Sequence, residues 1–395
     1  MAKKNHVNVA LIGQAFMGRA HSNAWGQVNR FFDPPLAAVM HTTCDVNADS
    51  VRAFADRWGW AHTSTNYRKA VADPAVDLVD LCTPNHLHAP MAIAALKAGK
   101  HVACEKPLAG TLADARAMVQ AARKSKARTF VWYCYRRCPA VAFAHQLVKQ
   151  GRVGRILHVR ARYLQSWAGP DVPLAWRFDK RLAGSGAHGD LNAHIIDMTR
   201  FVTGQEITEI CGAIAETFIK ERRKLAGAAA GGIAAGLKAS SAKGKVTVDD
   251  TVLFLARFEG GAVASFEAAR QATGNLNAHG FEINGTKGSL RFNFEQMNWL
   301  EYFDATAPRA VQGWTPINCT NPEHPYAKHW WPDAHIIGYE HTFTNNAYDI
   351  LRVLGGQKPV VPLADFEDAY QTQRVLEASL LCARRRRWVK LASVK

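Results

Sequence analysis

Short apolar runs alternate with helix-compatible stretches from residue 7 to residue 135, and this alternation constrains the fold more than any other property of the chain. Val7-Asn8-Val9-Ala10-Leu11-Ile12 is β-rich and apolar, the profile of a strand buried on both faces of a parallel sheet. It ends in Gly13-Gln14-Ala15-Phe16-Met17-Gly18, followed by a helix-compatible run over 19–28. Glycines at the first and last positions allow a tight turn and a close approach of helix and strand. The helix start then presents free amides to an anionic group. This is a dinucleotide-binding fingerprint with Ala15 in place of the middle glycine, and it marks Gly13, Ala15, Phe16 and Met17 as candidate cofactor-binding residues.

The pattern continues downstream. The run from Leu36 ends in Cys44-Asp45, where an acid accepts hydrogen bonds from ribose hydroxyls and repels a 2′-phosphate. Val46 and Asn47 follow instead of an arginine, which favours NAD over NADP, although Arg52 and Arg57 keep NADP open. Gly18 and Asp45 are further apart than the usual roughly 20 residues, and Phe31-Phe32-Asp33-Pro34-Pro35 reads as the insertion. Strands are expected over 76–82, 101–104 and 128–135, with helices over 50–58, 87–98 and 111–124. Thr83-Pro84-Asn85, Glu105-Lys106 and Tyr135 fall at strand ends beside Gly13 and Asp45. Ligands of a doubly wound sheet gather at those ends.

After Pro139 the periodicity changes. A helix over 140–150 precedes β-type runs over 155–165, 246–258, 262–270, 280–285 and 288–294, with hairpin-like turns at Gly260-Gly261 and Thr286-Lys287-Gly288. The chain therefore reads as an α/β protein: an N-terminal Rossmann domain over 1–137 and a C-terminal α+β domain over 138–395 with a large, mostly antiparallel open sheet. Residues 225–245 read as a surface loop, and a terminal helix is expected over 369–384.

Composition narrows the class. Of 395 residues, 48% are hydrophobic and 21% charged, ordinary values for a soluble enzyme. Nothing at the start resembles a signal peptide and no apolar run would cross a bilayer, so a cytoplasmic protein without membrane association is expected. Eight scattered cysteines show no paired metal-type spacing and read as reduced thiols; no metal is expected. The net charge of +16 comes partly from Arg384-Arg385-Arg386-Arg387 and the basic run at 220–224. Without zinc-finger spacing or RNA-binding aromatics it points to a solvated surface or an anionic cofactor, not to nucleic acid.

The second half carries its chemistry in Gly184-Ser185-Gly186-Ala187-His188-Gly189-Asp190-Leu191-Asn192-Ala193-His194-Ile195-Ile196-Asp197. In a regular helix, Asp190, His194 and Asp197 share one face, and a carboxylate one turn from an imidazole orients it as a base. Arg177 beside Trp176 could reach a cofactor carboxamide or a sugar hydroxyl, or serve as a structural ion-pair partner. Trp330-Trp331-Pro332, His335 and Tyr339 form a late polar-aromatic cluster suited to the apolar face of a ligand or to core packing.

Taken together, the Gly13 fingerprint, Thr83-Pro84-Asn85-His86-Leu87-His88, Ala98-Gly99-Lys100-His101-Val102 with Glu105-Lys106-Pro107, and Gly189-Asp190, His194 and Asp197 occur in an order that resembles the glucose-fructose oxidoreductase / inositol dehydrogenase (Gfo/Idh/MocA) family. The resemblance spans essentially the whole chain. Phe16-Met17-Gly18-Arg19-Ala20-His21-Ser22, Tyr135-Arg136-Arg137, Trp176-Arg177-Phe178 and Ala183-Gly184-Ser185-Gly186 resemble most its members that oxidise pyranose rings. It implies an NAD(P)-dependent oxidoreductase in which Lys106, Asp190 and His194 are catalytic at the nicotinamide end of a cleft. Thr83, Pro84, Asn85, His88, Glu105, Lys106 and Arg177 would join the fingerprint and Asp45 on the cofactor. Lys106, Tyr135, Arg137, Asn192, His194, His335 and Tyr339 would face a small carbohydrate or cyclitol. The sheet of the second domain would mediate a homodimer or homotetramer. Cys134 and Asn192 depart from the family pattern, where relatives carry Asn and Gly.

Oxidation of a ring alcohol needs a base for the hydroxyl proton while hydride leaves carbon. His194, whose ordinary pKa is about 6.5, fits that role with Asp190 as its orienter and Lys106 bonded to the same oxygen. Lys106 as proton carrier, with His194 positioning, is the alternative. Reduction of a keto-sugar with NADPH, and a non-catalytic dinucleotide-binding sensor, are the competing functions.

Overall fold

The computed structural model describes residues 4–226 and 238–394. They divide into two compact units, Met1–Arg137 with Gly338–Tyr370, and Cys138–Ile337 with Gln371–Lys395. The first unit thus takes back a late segment, 338–370, that a division by chain order at 137/138 leaves with the second.

In the first unit, β1 (His6–Ile12), α1 (Phe16–Phe31), β2 (Ala37–Cys44), α2 (Ala48–Trp58), β3 (His62–Ser64), α3 (Tyr67–Ala72), β4 (Leu78–Leu81), α4 (His88–Lys97), β5 (His101–Cys104), α5 (Leu112–Arg123) and β6 (Thr129–Val131) follow in order. The strands form a parallel sheet in the order β3-β2-β1-β4-β5-β6, the dinucleotide-binding topology. Val9, Leu11, Leu78, Val79, Leu81 and Val102 are fully buried, as the continuous apolar runs require. The short β3 and α3 carry too few apolar residues to be read from sequence. The last expected strand stops at Val131, and Tyr135 lies in a tight turn beyond it, Cys134–Arg137.

The second unit contains α6 (Pro139–Lys149), β7 (Ile156–Leu164), α7 (Lys180–Ala183), α8 (Ala193–Thr203), β8 (Ile207–Glu216), β9 (Glu221–Leu225), β10 (Ala239–Lys245), β11 (Thr251–Phe258), β12 (Val263–Ala269), β13 (Ala278–Gly285), β14 (Gly288–Asn293), β15 (Trp299–Asp304) and β16 (Trp314–Asn318). Its nine-stranded sheet has the order β16-β15-β14-β13-β7-β12-β11-β8-β17, with β17 at Val389–Lys390. Among the described residues of this sheet only the β12–β7 pair is parallel. The two glycine turns join β11 to β12 and β13 to β14, as their spacing predicts.

The expected surface loop over 225–245 is corrected in part. Glu221–Leu225 and Ala239–Lys245 pair as an antiparallel ribbon, β9 with β10; residues 227–237 lie outside the described residues. Sequence alternation is weak there because the ribbon buries little. Among its described residues Arg222 is the one fully buried side chain, stacked 4.0 Å above the Phe178 ring. Two helices close the chain. The first is α9 (Tyr339–Leu354) in the first unit; the second is α10 (Phe366–Arg385), close to the terminal helix expected over 369–384. Among the described residues no helix is long and apolar enough to cross a membrane.

Candidate active site

The candidate site of the first unit is built on the turn between β1 and α1. Gly13 takes φ +102°, and a Cβ there would lie 2.6 Å from the Cys82 carbonyl oxygen; a Cβ on Gly18 would lie 2.2 Å from the Gly13 carbonyl oxygen. Both glycines are therefore dictated by close backbone approach. Ala15 begins α1 in extended backbone with no side-chain cap, and the first helical turn carries no acid. The amides of that turn are left for an external acceptor, which is the geometry that receives a phosphate.

Asp45, at the end of β2, is tied to the same turn. Its Oδ2 accepts the Gln14 amide at 3.1 Å and its Oδ1 accepts the Val46 amide at 2.7 Å. Remaining lone pairs on both oxygens can accept ribose hydroxyls. The Thr83 hydroxyl, beyond β4, is buried with no hydrogen-bond partner. It lies beside Gly13, where a Cβ would come 3.2 Å from the Thr83 amide nitrogen. An orphaned hydroxyl at this point is what a bound dinucleotide would satisfy. The residues present fit NAD.

His88, expected at the cofactor, is instead fully buried, with Nε2 2.9 Å from the Thr83 carbonyl oxygen and Nδ1 3.0 Å from that of Pro107. Burial holds its pKa below the ordinary value against those two carbonyls. It clips the loop after β4 to the loop after β5. Lys106 and Met17 are half-buried and Tyr135 is buried. Phe16 stacks on Tyr339 with ring planes 2° apart and centroids 6.2 Å apart, and Tyr135 lies 6.3 Å from Tyr339. Three of the expected residues thus share one aromatic group over the start of α1.

Arg137 does not present an open binding surface. It is 1% exposed, its Nε lies 3.3 Å from Asp349 Oδ2, and it donates to the Val361 carbonyl. A cation buried this deeply must be paired inside the fold, so the substrate-binding reading of Arg137 gives way to an anchor for α9. Tyr339 belongs to the first unit, whereas Trp330, Trp331 and His335 belong to the second. His335 is exposed, with Nδ1 3.0 Å from the Pro332 carbonyl oxygen.

A separate candidate site, in the second unit, is the segment that ends in α8. Gly186 packs against the chain at Asp249, where a Cβ would fall 1.8 Å from a carbonyl oxygen. The Asp249 carboxylate accepts the amides of Gly186 at 2.9 Å and His188 at 2.7 Å. His188–Asn192 forms a wider π-type turn before regular helix begins at Ala193. Such turns recur at functional sites. The expected regular spacing of Asp190 and His194 therefore does not hold through this turn. Asp190 is half-buried and its Oδ2 accepts Arg270 Nη2 at 2.8 Å; Arg270 is 2% exposed and also donates to the Arg177 carbonyl.

His194 is buried on α8, its ring centroid 5.8 Å from Tyr163 and 6.2 Å from His279; Tyr163 and His279 stack at 4.4 Å. Asp197 is buried as well. Arg177 is half-buried, its guanidinium 4.4 Å above the Trp176 ring. Asn192 is fully buried: its amide nitrogen lies 2.9 Å from His188 Nδ1 and 3.2 Å from the Val252 carbonyl oxygen. It braces the turn through that nitrogen, while its Oδ1 is buried with no hydrogen-bond partner.

Sequence reasoning missed Asp249, Arg270 and His279, whose partners are distant in sequence. It also missed His21 and Asp80, although an aspartate inside the apolar run of β4 is a visible signal.

Two family profiles match the chain. The one described as "Oxidoreductase family, NAD-binding Rossmann fold" matches residues 7–133, and that described as "GFO/IDH/MocA C-terminal domain" matches residues 141–291. Levoglucosan dehydrogenase from Pseudarthrobacter phenanthrenivorans is 40% identical over 394 residues, covering 98% of this chain and 99% of that protein. 1,5-Anhydro-D-fructose reductase from Ensifer adhaerens is 33% identical over 65% of this chain and 67% of its own. Among solved structures, levoglucosan dehydrogenase in complex with NADH and levoglucosan superposes with a TM-score of 0.90 at 39% identity, covering 98% of this chain and 99% of that one. An oxidoreductase domain protein from Kribbella flavida gives a TM-score of 0.91 at 47% identity with the same coverage.

Proposed function

The chain belongs to the Gfo/Idh/MocA oxidoreductase family, and from that premise we propose that it is an NAD-dependent dehydrogenase oxidising a secondary ring hydroxyl of an anhydrosugar or pyranose. The observation that carries the substrate class is the full-length similarity to levoglucosan dehydrogenase, solved with NADH and levoglucosan. For the cofactor, support comes from Asp45: its carboxylate, bonded to the fingerprint amide of Gln14, accepts a ribose diol and repels a 2′-phosphate.

Bound at the fingerprint, NAD supplies the acceptor for the hydride. Gly13, Ala15, Phe16 and Met17 would hold its pyrophosphate end, and Thr83, Pro84, Asn85 and Glu105 the nicotinamide half. His194 takes the hydroxyl proton. Asp190, tethered by buried Arg270, would orient the imidazole. Lys106 donates a hydrogen bond to the alcohol oxygen and stabilises the developing alkoxide. Tyr135 and Tyr339 offer aromatic faces to the apolar side of a sugar ring.

On the second unit, Leu157, Ile214, Leu253, Leu255 and Val263 are exposed on neighbouring strands of the large sheet. An outward apolar face of this kind supports a homodimer or homotetramer, testable by light scattering. The similarity to 1,5-anhydro-D-fructose reductase keeps a second reading, reduction of a keto-sugar.

The test is nicotinamide absorbance with purified protein, NAD or NADP, and a panel of levoglucosan, pyranoses and inositols. Turnover with NAD on levoglucosan or a pyranose is expected. NAD binding with no turnover on the whole panel would favour a sensor, and full activity in Lys106→Ala would remove the proposed site.

A further inference from the structure

We propose that His21 is a positioning residue for the Glu105–Lys106 pair: a buried imidazolium, anchored on Asp80, that fixes the Glu105 carboxylate and through it the backbone of Lys106. The inference rests on the role assigned above to Lys106.

His21 lies on α1 and is fully buried, its ring 4.0 Å from Trp132 and 5.5 Å from Phe343. Each ring nitrogen faces a carboxylate. Nδ1 is 3.0 Å from Asp80 Oδ2 and 3.1 Å from Oδ1, and Nε2 is 3.1 Å from Glu105 Oε1. A neutral imidazole has one N–H, so one of its nitrogens would oppose lone pairs at hydrogen-bond distance. Only the cation donates on both sides. Asp80, also fully buried, is held from two further directions by the indole N–H groups of Trp25 at 2.7 Å and Trp132 at 2.8 Å. Glu105 accepts the Lys106 amide on its other oxygen at 2.9 Å. A continuous chain thus runs from two indoles through Asp80, His21 and Glu105 to the backbone of Lys106.

Burial opposes the charged ring, yet the Asp80 carboxylate holds His21 well above the ordinary histidine range. The groups facing the ring from the surrounding elements are Asp80 and Cys82 from β4 and its end, Glu105 beyond β5, Trp132 and Cys134 beyond β6, and Phe343 on α9.

His21, Asp80 and Cys82 also place potential metal-ligand atoms within 4.8 Å of one another. Burial raises the Cys82 thiol to about 12, and both Asp80 oxygens are occupied by N–H donors. A protonated thiol is a poor ligand, so the cluster is built to hold a proton.

The experiment uses the full chain with ¹⁵N-labelled histidine, the His21 signal being identified by its loss in His21→Gln. At about pH 8, well above the ordinary value of about 6.5, both His21 nitrogens should be protonated; a single neutral tautomer there overturns the inference. In kinetics, His21→Gln keeps one donor and cannot bridge. Its kcat should fall about 100-fold, the scale of a small misplacement of a reacting group, with the KM for NAD within about threefold. The double variant His21→Gln/Glu105→Gln removes the unpaired carboxylate, so its melting temperature should recover while kcat does not. Recovery of both would make the role purely structural and overturn the proposal. So would a stoichiometric transition metal lost in Cys82→Ser. Sugar turnover with wild-type kcat in His21→Gln removes this inference alone. A wild-type chain inactive on every sugar removes the proposed function and the positioning role with it.

Discussion

Two helix starts in this molecule are satisfied in opposite ways. The start of α1, at Ala15, has no side-chain cap and no acid in its first turn. The segment leading to α8 is closed by the protein's own Asp249, which accepts two of its amides. On the proposed function, one start receives an anion from outside, and the other is filled so that the side chains following it are held still. The difference separates a place that binds from a place that positions. It also explains why the first depends on glycine and backbone, and the second on long-range ion pairs such as Asp190–Arg270.

Substitutions can break this contrast. The largest effect is expected from Gly13→Ala, which combines a left-handed backbone with a 2.6 Å clash against the Cys82 carbonyl. It should cost roughly 2–3 kcal/mol of stability and abolish measurable NAD binding by calorimetry. Asp249→Ala should cost about 1–2 kcal/mol in chemical denaturation and lower kcat, while NAD affinity stays within about twofold because α1 is untouched. Ala15→Asp is the mirror experiment. A carboxylate at that start should stabilise the free protein by about 0.5–1 kcal/mol yet weaken NAD binding about tenfold. Parallel changes in stability and affinity would refute the idea that the start of α1 is reserved for a ligand.

The smallest effect is on pH dependence, read as melting temperature against pH. Burial first, and in excess of their favourable partners, lowers the pKa of His88 and His188. Both must gain protons on unfolding in acid. Their contribution is present above the unfolded value of about 6.5 and is lost as pH falls below it toward their lowered folded values. His21 has the opposite sign. Burial opposes its charge, but Asp80 raises its pKa; its contribution is complete below about 6.5 and lost as pH rises through the folded value.

The parallel sheet is legible in the sequence because its signals are local: apolar runs, glycine turns, and polar residues where the runs end. Gly13, Asp45 and Thr83 lie where that pattern puts them, at the carboxyl ends of β1, β2 and β4. The second unit is legible in β7 and β11 to β14, where alternation is strong, and not in β9, β10 and β16, whose faces are mostly exposed. Within the site, residue types are easier to find than their partners. Asp190 stands out, but Arg270 lies eighty positions away. The buried roles of Arg137 and His88 escape a sequence reading because polarity alone does not show which groups the fold has already paired.

Initial rates of reduced-nicotinamide formation from levoglucosan and NAD, wild type against Lys106→Ala and His194→Ala, test the central claim most directly. NAD-dependent turnover is expected in the wild type, with losses of at least about 100-fold in both variants while each still binds NAD. Wild-type rates in both variants, or no oxidation of any ring alcohol by the wild type, would contradict it.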